Sequence, residues 1–142
     1  MVSVEKFREL FWESDEIYNR IAEASGLPSS EFLTLYCLAN GICVQSEISK
    51  KLYIPKQTIN SAVGHLKKVG FVTANSSSEN AKTKKLLLTE KGKQFVIDKV
   101  LLNDRIEDEV WSLLTEEEQK TLVALTKKYN GFLLETTKKY IP

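Results

Sequence analysis

Gln45-Ser46-Glu47-Ile48-Ser49-Lys50-Lys51-Leu52-Tyr53-Ile54-Pro55-Lys56-Gln57-Thr58-Ile59-Asn60-Ser61-Ala62-Val63-Gly64-His65-Leu66-Lys67-Lys68-Val69-Gly70-Phe71-Val72 holds two helical patterns joined by a tight turn. Ile48 and Leu52, four apart, mark a short helix. Pro55 opens the second helix well, because its missing N–H would be unpaired in the first turn anyway. From Pro55 to Val69 the apolar residues Ile59, Ala62, Val63, Leu66 and Val69 share one stripe, and Gln57, Asn60, Ser61, Gly64 and Lys68 share the opposite one. Gly70 ends that helix. Phe71 to Ala74 then reads as a strand, Asn75 to Asn80 as a polar tip and Thr83 to Leu88 as a second strand. Short helix, turn, helix and β-hairpin follow one another in the order of a winged helix-turn-helix.

Outward from this stretch the chain is helical. Val4, Phe7, Leu10, Phe11, Ile17, Tyr18 and Ile21 recur at three and four, which predicts an amphipathic helix from Val4 to Ala24, stopped by Gly26 and Pro28. Ser29 or Ser30 caps the next helix, whose apolar Phe32, Leu33, Leu35, Tyr36 and Leu38 run up to Gly41 and predict burial. Beyond the hairpin, Thr89 caps one long helix carrying Phe95, Val96, Val100, Leu101 and Ile106 as far as Leu114. Thr115 and Glu118 form a capping box for a last helix to about Tyr140. The expected fold is mainly α with a small β-hairpin wing. Residues 1–142 form one domain, with 29–93 as the reading lobe and 1–25 and 94–142 as dimerisation helices. Two long arms on a small lobe are hard to bury within one monomer, so a homodimer sharing the terminal helices is expected.

Charge is unevenly placed. Between Val44 and Lys93 stand ten lysines against Glu47, Glu79 and Glu90, a balance of +7 in a chain of net charge +1, so the remainder carries −6. One part is built to meet a polyanion, and the unit holding the charge has the shape that enters a DNA groove. At 142 residues and 42% hydrophobic the chain can build an ordinary core. It has no run of eighteen apolar residues and no charged-then-apolar leader pattern, from which we expect a cytoplasmic protein with no membrane contact. Cys37, Cys43 and His65 are too few for a four-ligand zinc site, and the chain has neither CxxC nor HExxH spacing. Neither a metal nor any other cofactor is expected. With no GxSxG, no phosphate-cradling glycine loop and a single histidine, an enzyme is not expected either.

Four motifs together resemble the MarR family of transcription regulators: Gln45 to Leu52, then Lys56-Gln57-Thr58-Ile59, then Leu66-Lys67-Lys68-Val69-Gly70-Phe71-Val72, and Leu88-Thr89-Glu90-Lys91-Gly92. Gly26-Leu27 and Leu114-Thr115-Glu116-Glu117-Glu118 are also similar to that family's turns. The resemblance implies a homodimer. Each subunit would insert the Pro55 to Val69 helix into the major groove of a pseudo-palindromic operator and rest its wing on the minor groove. It further implies a small-molecule effector of unspecified identity, and a repressor as the expected sign of regulation. At the wing tip, the family's Asp-Arg-Arg is matched by Asn80, Ala81 and Lys82. Lysine is a compact, well-hydrated point charge where arginine forks to acceptors, so this wing is expected to anchor phosphates rather than to read groove width. Ser61 stands where the family often has an arginine.

On this reading the DNA-contacting residues are Ser46, Pro55, Lys56, Gln57, Thr58, Asn60, Ser61, Gly64, His65, Lys67, Lys68, Asn80, Lys82, Lys84 and Lys85. Gln57 and Asn60 can pair with an adenine edge, and Thr58 or Ser61 can bond a phosphate or touch a thymine methyl. The lysines suit phosphates. The plainer reading of each is a solvated helix face, and for His65 a solvated side chain. Gly64 lowers helix stability by about 1 kcal/mol relative to alanine, which either close approach of the backbone to DNA or a tolerated defect explains. Cys37 beside Tyr36 and Leu38, with no lysine or arginine near it in the sequence, is expected to be a small buried hydrophobe, and Cys43 the more exposed thiol. Oxidant sensing by either would need exposure and a lowered pKa. Phe7, Phe11, Trp12, Phe32 and Tyr36 are expected to be core, with an effector pocket as the alternative. The alternative for the whole chain is a winged-helix module that meets an acidic protein partner without specific DNA binding.

Overall fold

Leu35, Ile48, Ile59, Leu66 and Val100 are all 0% exposed, and they come from four different segments of the chain. Full burial of each contributes about 1.5–3 kcal/mol, so the segments that supply them are held together by one centre. The computed structural model describes residues 1–75 and 84–142. Helix α1 spans Val4–Ala24, α2 Ser29–Ala39, α3 Gln45–Leu52 and α4 Lys56–Lys68. Strands β1, Val72–Asn75, and β2, Lys85–Leu88, pair antiparallel with Val72 opposite Leu88 and Asn75 opposite Lys85. Helix α5 is Glu90–Phe95, α6 Leu102–Leu113 and α7 Glu116–Tyr140. The fold is mostly helical with one small sheet, as the sequence pattern implies.

The turn between α3 and α4 has a local cause. Tyr53 sits in the left-handed region at φ 54°, where a non-glycine residue is uncommon. The Ser49 hydroxyl donates to the Ile54 carbonyl at 2.6 Å, and the Ile54 N–H returns to the Ser49 carbonyl at 3.2 Å. These two bonds close the turn around Tyr53, which points into solvent. Pro55, expected as the first helical residue, instead stands one place earlier. Its ψ of 142° keeps it outside the helix while its carbonyl accepts from the Ile59 N–H. In the same way Pro28, not Ser29 or Ser30, occupies the N-cap of α2, and no side chain caps that end. Because α2 buries Glu31, Phe32, Thr34, Leu35, Cys37 and Leu38, packing rather than capping holds it.

The wing is tied to the lobe at its base. Val44 makes a β-bridge with Lys85, and the Leu86 N–H donates to the Cys43 carbonyl at 2.8 Å. The long helix expected after Thr89 is interrupted. Between α5 and α6 lies a π-helical turn, Val96–Val100, closed by the Leu101 N–H on the Val96 carbonyl at 2.9 Å. A 3.6-residue reading passes over it because Val96 and Val100 keep a spacing of four and both stay buried.

The chain forms two compact units, Met1–Asn103 and Asp104–Pro142. Within the second, the Thr115 hydroxyl accepts from the Glu118 N–H at 3.1 Å, and the Glu118 carboxylate accepts from the Thr115 N–H at 2.8 Å, giving the expected capping box. Glu116, Glu117 and Glu118 lie in the first turn of α7, and Lys138 and Lys139 in its last, both complementing the helix dipole. No residue of α7 is buried, and Leu122, Leu125, Phe132, Leu133 and Leu134 are exposed. In α1, Phe7, Phe11 and Trp12 are also exposed, contrary to the core placement expected from their spacing, whereas Phe32 is buried and Tyr36 half-buried. The reason is that α1 buries only Ala22 fully within the single chain.

Candidate nucleic-acid interface

Helix α4 divides cleanly between its two faces. Ile59, Ala62, Val63 and Leu66 are at most 3% exposed, while Lys56, Gln57, Thr58, Asn60, Ser61, Gly64, His65, Lys67 and Lys68 are exposed, with Pro55 exposed just before them. Burying the apolar stripe fixes the rotation of the helix, and the polar stripe is then presented as a consequence. Beside it runs a cleft of about 330 Å³ between α3, α4 and the wing. Its lining is apolar at Val44, Ala74 and Leu86, polar at Gln45 and Ser46, and cationic at Lys56, Lys67 and Lys84. Lys56 and Lys67 are eleven residues apart, close to three whole turns, so they rise from one side of α4.

Lys56, Lys67, Lys68, Lys84 and Lys85 form no ion pair with any described residue. Asn80 and Lys82, expected at the wing tip, lie outside the described residues. Two other lysines of the basic segment are used by the fold itself. Lys91 donates from Nζ to the Val69 carbonyl at 2.9 Å, at the C-terminal end of α4, with its ammonium 5.3 Å from the centre of the Phe71 ring. Lys93 pairs with Glu90 at 3.3 Å. Around Lys91 the Thr89 hydroxyl donates to the Gly70 carbonyl at 2.5 Å and accepts from the Gly92 N–H at 3.0 Å, while the Thr89 N–H donates to the Phe71 carbonyl. Leu88-Thr89-Glu90-Lys91-Gly92 is therefore a clamp on the end of α4 as well as a helix cap.

Three contacts escape a helix-by-helix reading of the sequence. The buried Glu31 carboxylate of α2 meets the Nδ1 of His65, joining α4 to α2 and leaving the other ring nitrogen as the one available to a ligand. Gln45, absent from the expected site, donates from Nε2 to Asn60 Oδ1 at 3.1 Å, across fifteen residues of sequence. Lys51, fourteen residues from Cys37, is a cation near that thiol. Burial is the dominant influence and raises the Cys37 pKa, while Lys51 acts in the lowering direction. The buried state expected for Cys37 holds, but the absence of a nearby cation does not. Cys43 is half-buried.

A Cβ built on Gly64 meets nothing within 4 Å, so no contact inside the chain demands glycine there. Among the described residues no group of three or more His, Cys, Asp or Glu side chains could hold a metal ion, and no helix is long and apolar enough to cross a membrane.

A model of the MarR family matches residues 25–82, which hold α2, α3, α4 and β1. The HTH-type transcriptional regulator PrsX of Escherichia coli is 32% identical over 108 residues, 74% of this chain. The chain belongs to the MarR family. Members of this family regulate transcription and are not enzymes. This MarR-family chain spans 65% of the length of PrsX. The structure of NMB1585, a MarR family regulator from Neisseria meningitidis, superposes with a TM-score of 0.84 over 99% of both chains at 19% identity. The Staphylococcus aureus MepR–DNA complex superposes at 0.74, covering 93% of this chain and 96% of MepR at 21% identity. At such identities the agreement speaks for the fold.

Proposed function

We propose that this chain is a sequence-selective reader of double-stranded DNA, a homodimeric transcription regulator acting as a repressor. The observation that carries the reading is the exposed polar face of α4 beside a cleft to which Lys56, Lys67 and Lys84 contribute unpaired charge among the described residues. Positive charge without an internal partner is what a phosphate backbone needs, since neutralising phosphates releases condensed counterions. Gln57, Asn60 and Ser61 supply the groove-facing polar groups, with Thr58, Lys68 and Lys85 flanking them and Ser46 at the start of α3. The solved complex of MepR with DNA is a precedent for DNA binding on this fold.

The apolar side chains exposed on α1, and separately those exposed on α7, support a homodimer, in which a second copy of the chain would cover them. Two readers related by a two-fold axis match a pseudo-palindromic operator with half-sites about 34–36 Å apart, one helical turn. A small-molecule effector would act by preferring one spacing of the readers, and can shift DNA affinity only by that preference.

The test is selection from a pool of random duplexes at two salt concentrations, with the mass of the complex measured. A reader making about six to eight phosphate contacts loses on the order of a thousandfold or more in affinity between about 50 and 200 mM salt. An enriched inverted repeat carrying two subunits supports the reading. No enrichment, with DNA retained weakly at either salt, would instead favour a module that meets an acidic protein.

A further inference from the structure

Asn60 sits at the middle of the exposed face of α4, and two neighbours decide what its amide can offer. On one side is Gln45, the first residue of α3, whose Nε2 donates to Asn60 Oδ1 at 3.1 Å. A free asparagine turns its amide over readily and offers either the oxygen or the nitrogen to a partner. The bond from Gln45 removes that freedom, because it engages the oxygen and leaves both Nδ2 hydrogens as the outward donors. On the other side is Gly64, one turn further along the same face. Helical side chains lean toward the N-terminus and cover the turn before their own Cα. A side chain at position 64 would therefore lie over Asn60. Nothing within 4 Å of a Cβ at Gly64 explains the glycine by internal packing. Its absence of a side chain leaves the held amide uncovered.

We infer that Asn60 is the principal base-reading side chain of this protein. Gln45 is the positioning residue that aims its amide nitrogen outward, and Gly64 is the gap that lets a base edge reach it. The base class follows from the donor. In the major groove adenine presents N7, guanine N7 and O6, and thymine O4 as acceptors, whereas cytosine presents only its amino donor. Asn60 thus discriminates against cytosine at one position of each half-site, rather than reading adenine alone as an unheld asparagine would. This inference rests on the DNA-reading proposal and sharpens it to one side chain.

The experiment measures the full-length chain and its variants on the selected duplex, on its single-base variants and on a non-specific duplex at one salt concentration, with melting temperatures in parallel. In Asn60→Ala the discrimination against cytosine at one half-site position falls about tenfold, the loss of one good base contact, with non-specific affinity unchanged. Gln45→Ala weakens the preference at that same position, and the double variant adds nothing further. Gln45→Glu is the decisive variant. Its carboxylate accepts where glutamine donates, so the Asn60 amide turns over and offers its oxygen, moving the preference toward adenine or cytosine, the bases with an amino group in the major groove. Gly64→Leu suppresses the preference while leaving the protein folded. If the wild-type chain selects a sequence but Asn60→Ala or Gln45→Glu keeps the wild-type preference at every position, the inference is overturned and DNA reading stands. If the wild-type chain selects no sequence, both fall together.

Discussion

The start of α5 and the exposed face of α4 are built from the same materials, lysines and a glycine, and the fold treats them in opposite ways. At α5, a Cβ on Gly92 would come within 2.1 Å of the Phe71 carbonyl oxygen, and the Lys91 ammonium is spent on the Val69 carbonyl. At α4, a Cβ on Gly64 would meet open space, and Lys56 and Lys67 have no ion pair with a described residue. Glycine and lysine at the first place are explained by what lies inside the chain. At the second place no contact with a described residue explains them, as expected of a surface that meets a ligand. Unpaired charge and a glycine without an internal contact therefore separate the proposed reading surface from the scaffold better than composition does.

Gly92→Ala is the strongest way to break that contrast. Because the carbonyl it would strike is backbone, α5 must move away from Phe71, and the bonds that Thr89 makes to Gly70, Phe71 and Gly92 are disturbed with it. Strain of this kind in a packed region destabilises by about 1–3 kcal/mol or more, and we expect the upper part of that range as a lowered denaturant midpoint. A variant as stable as the wild type would mean that the two glycines are alike.

Lys67→Gln together with Lys84→Gln tests the other side. Surface changes of this type alter stability by no more than about 0.5 kcal/mol. Loss of two phosphate contacts reduces the slope of log affinity against log salt by about 2. An unchanged slope would put the DNA elsewhere than this cleft. Lys91→Ala is the matched control within the basic segment. It removes a charge-assisted bond to the end of α4 and a contact with Phe71, so about 1–2 kcal/mol of stability is lost. The salt slope should stay as in the wild type.

How much of this was legible beforehand follows from the range of each interaction. Local rules placed α1, α3 and α7 at their observed bounds, because apolar spacing, a proline or a capping box marks their limits. They also separated the two faces of α4. The π-helical turn was hidden because four-residue spacing is common to both helix types, and the α2 N-cap because packing overrode the serines. Contacts across the sequence were illegible in principle. Gln45 with Asn60, Glu31 with His65 and Lys91 with Val69 each join residues fifteen or more apart. Each therefore needed the fold before it could be seen. Ten lysines counted as one basic patch likewise overstated the reader, since Lys91 and Lys93 serve the scaffold.

Gly64→Ala gives the smallest effect and the clearest sign. In a helix interior alanine is favoured over glycine by up to about 1 kcal/mol, because glycine loses more backbone freedom on folding. A Cβ at this position strikes nothing, so no steric term opposes that gain. The melting temperature should rise by about 3 °C, the shift that 1 kcal/mol produces in a domain of this size. A single methyl reaches less far over Asn60 than the leucine side chain does, so the base preference should largely survive. A higher melting point with the preference retained would show that the fold gains nothing from glycine here. A lower one would show an internal need for glycine at position 64, and the contrast with Gly92 would then no longer mark where the fold ends and the ligand begins.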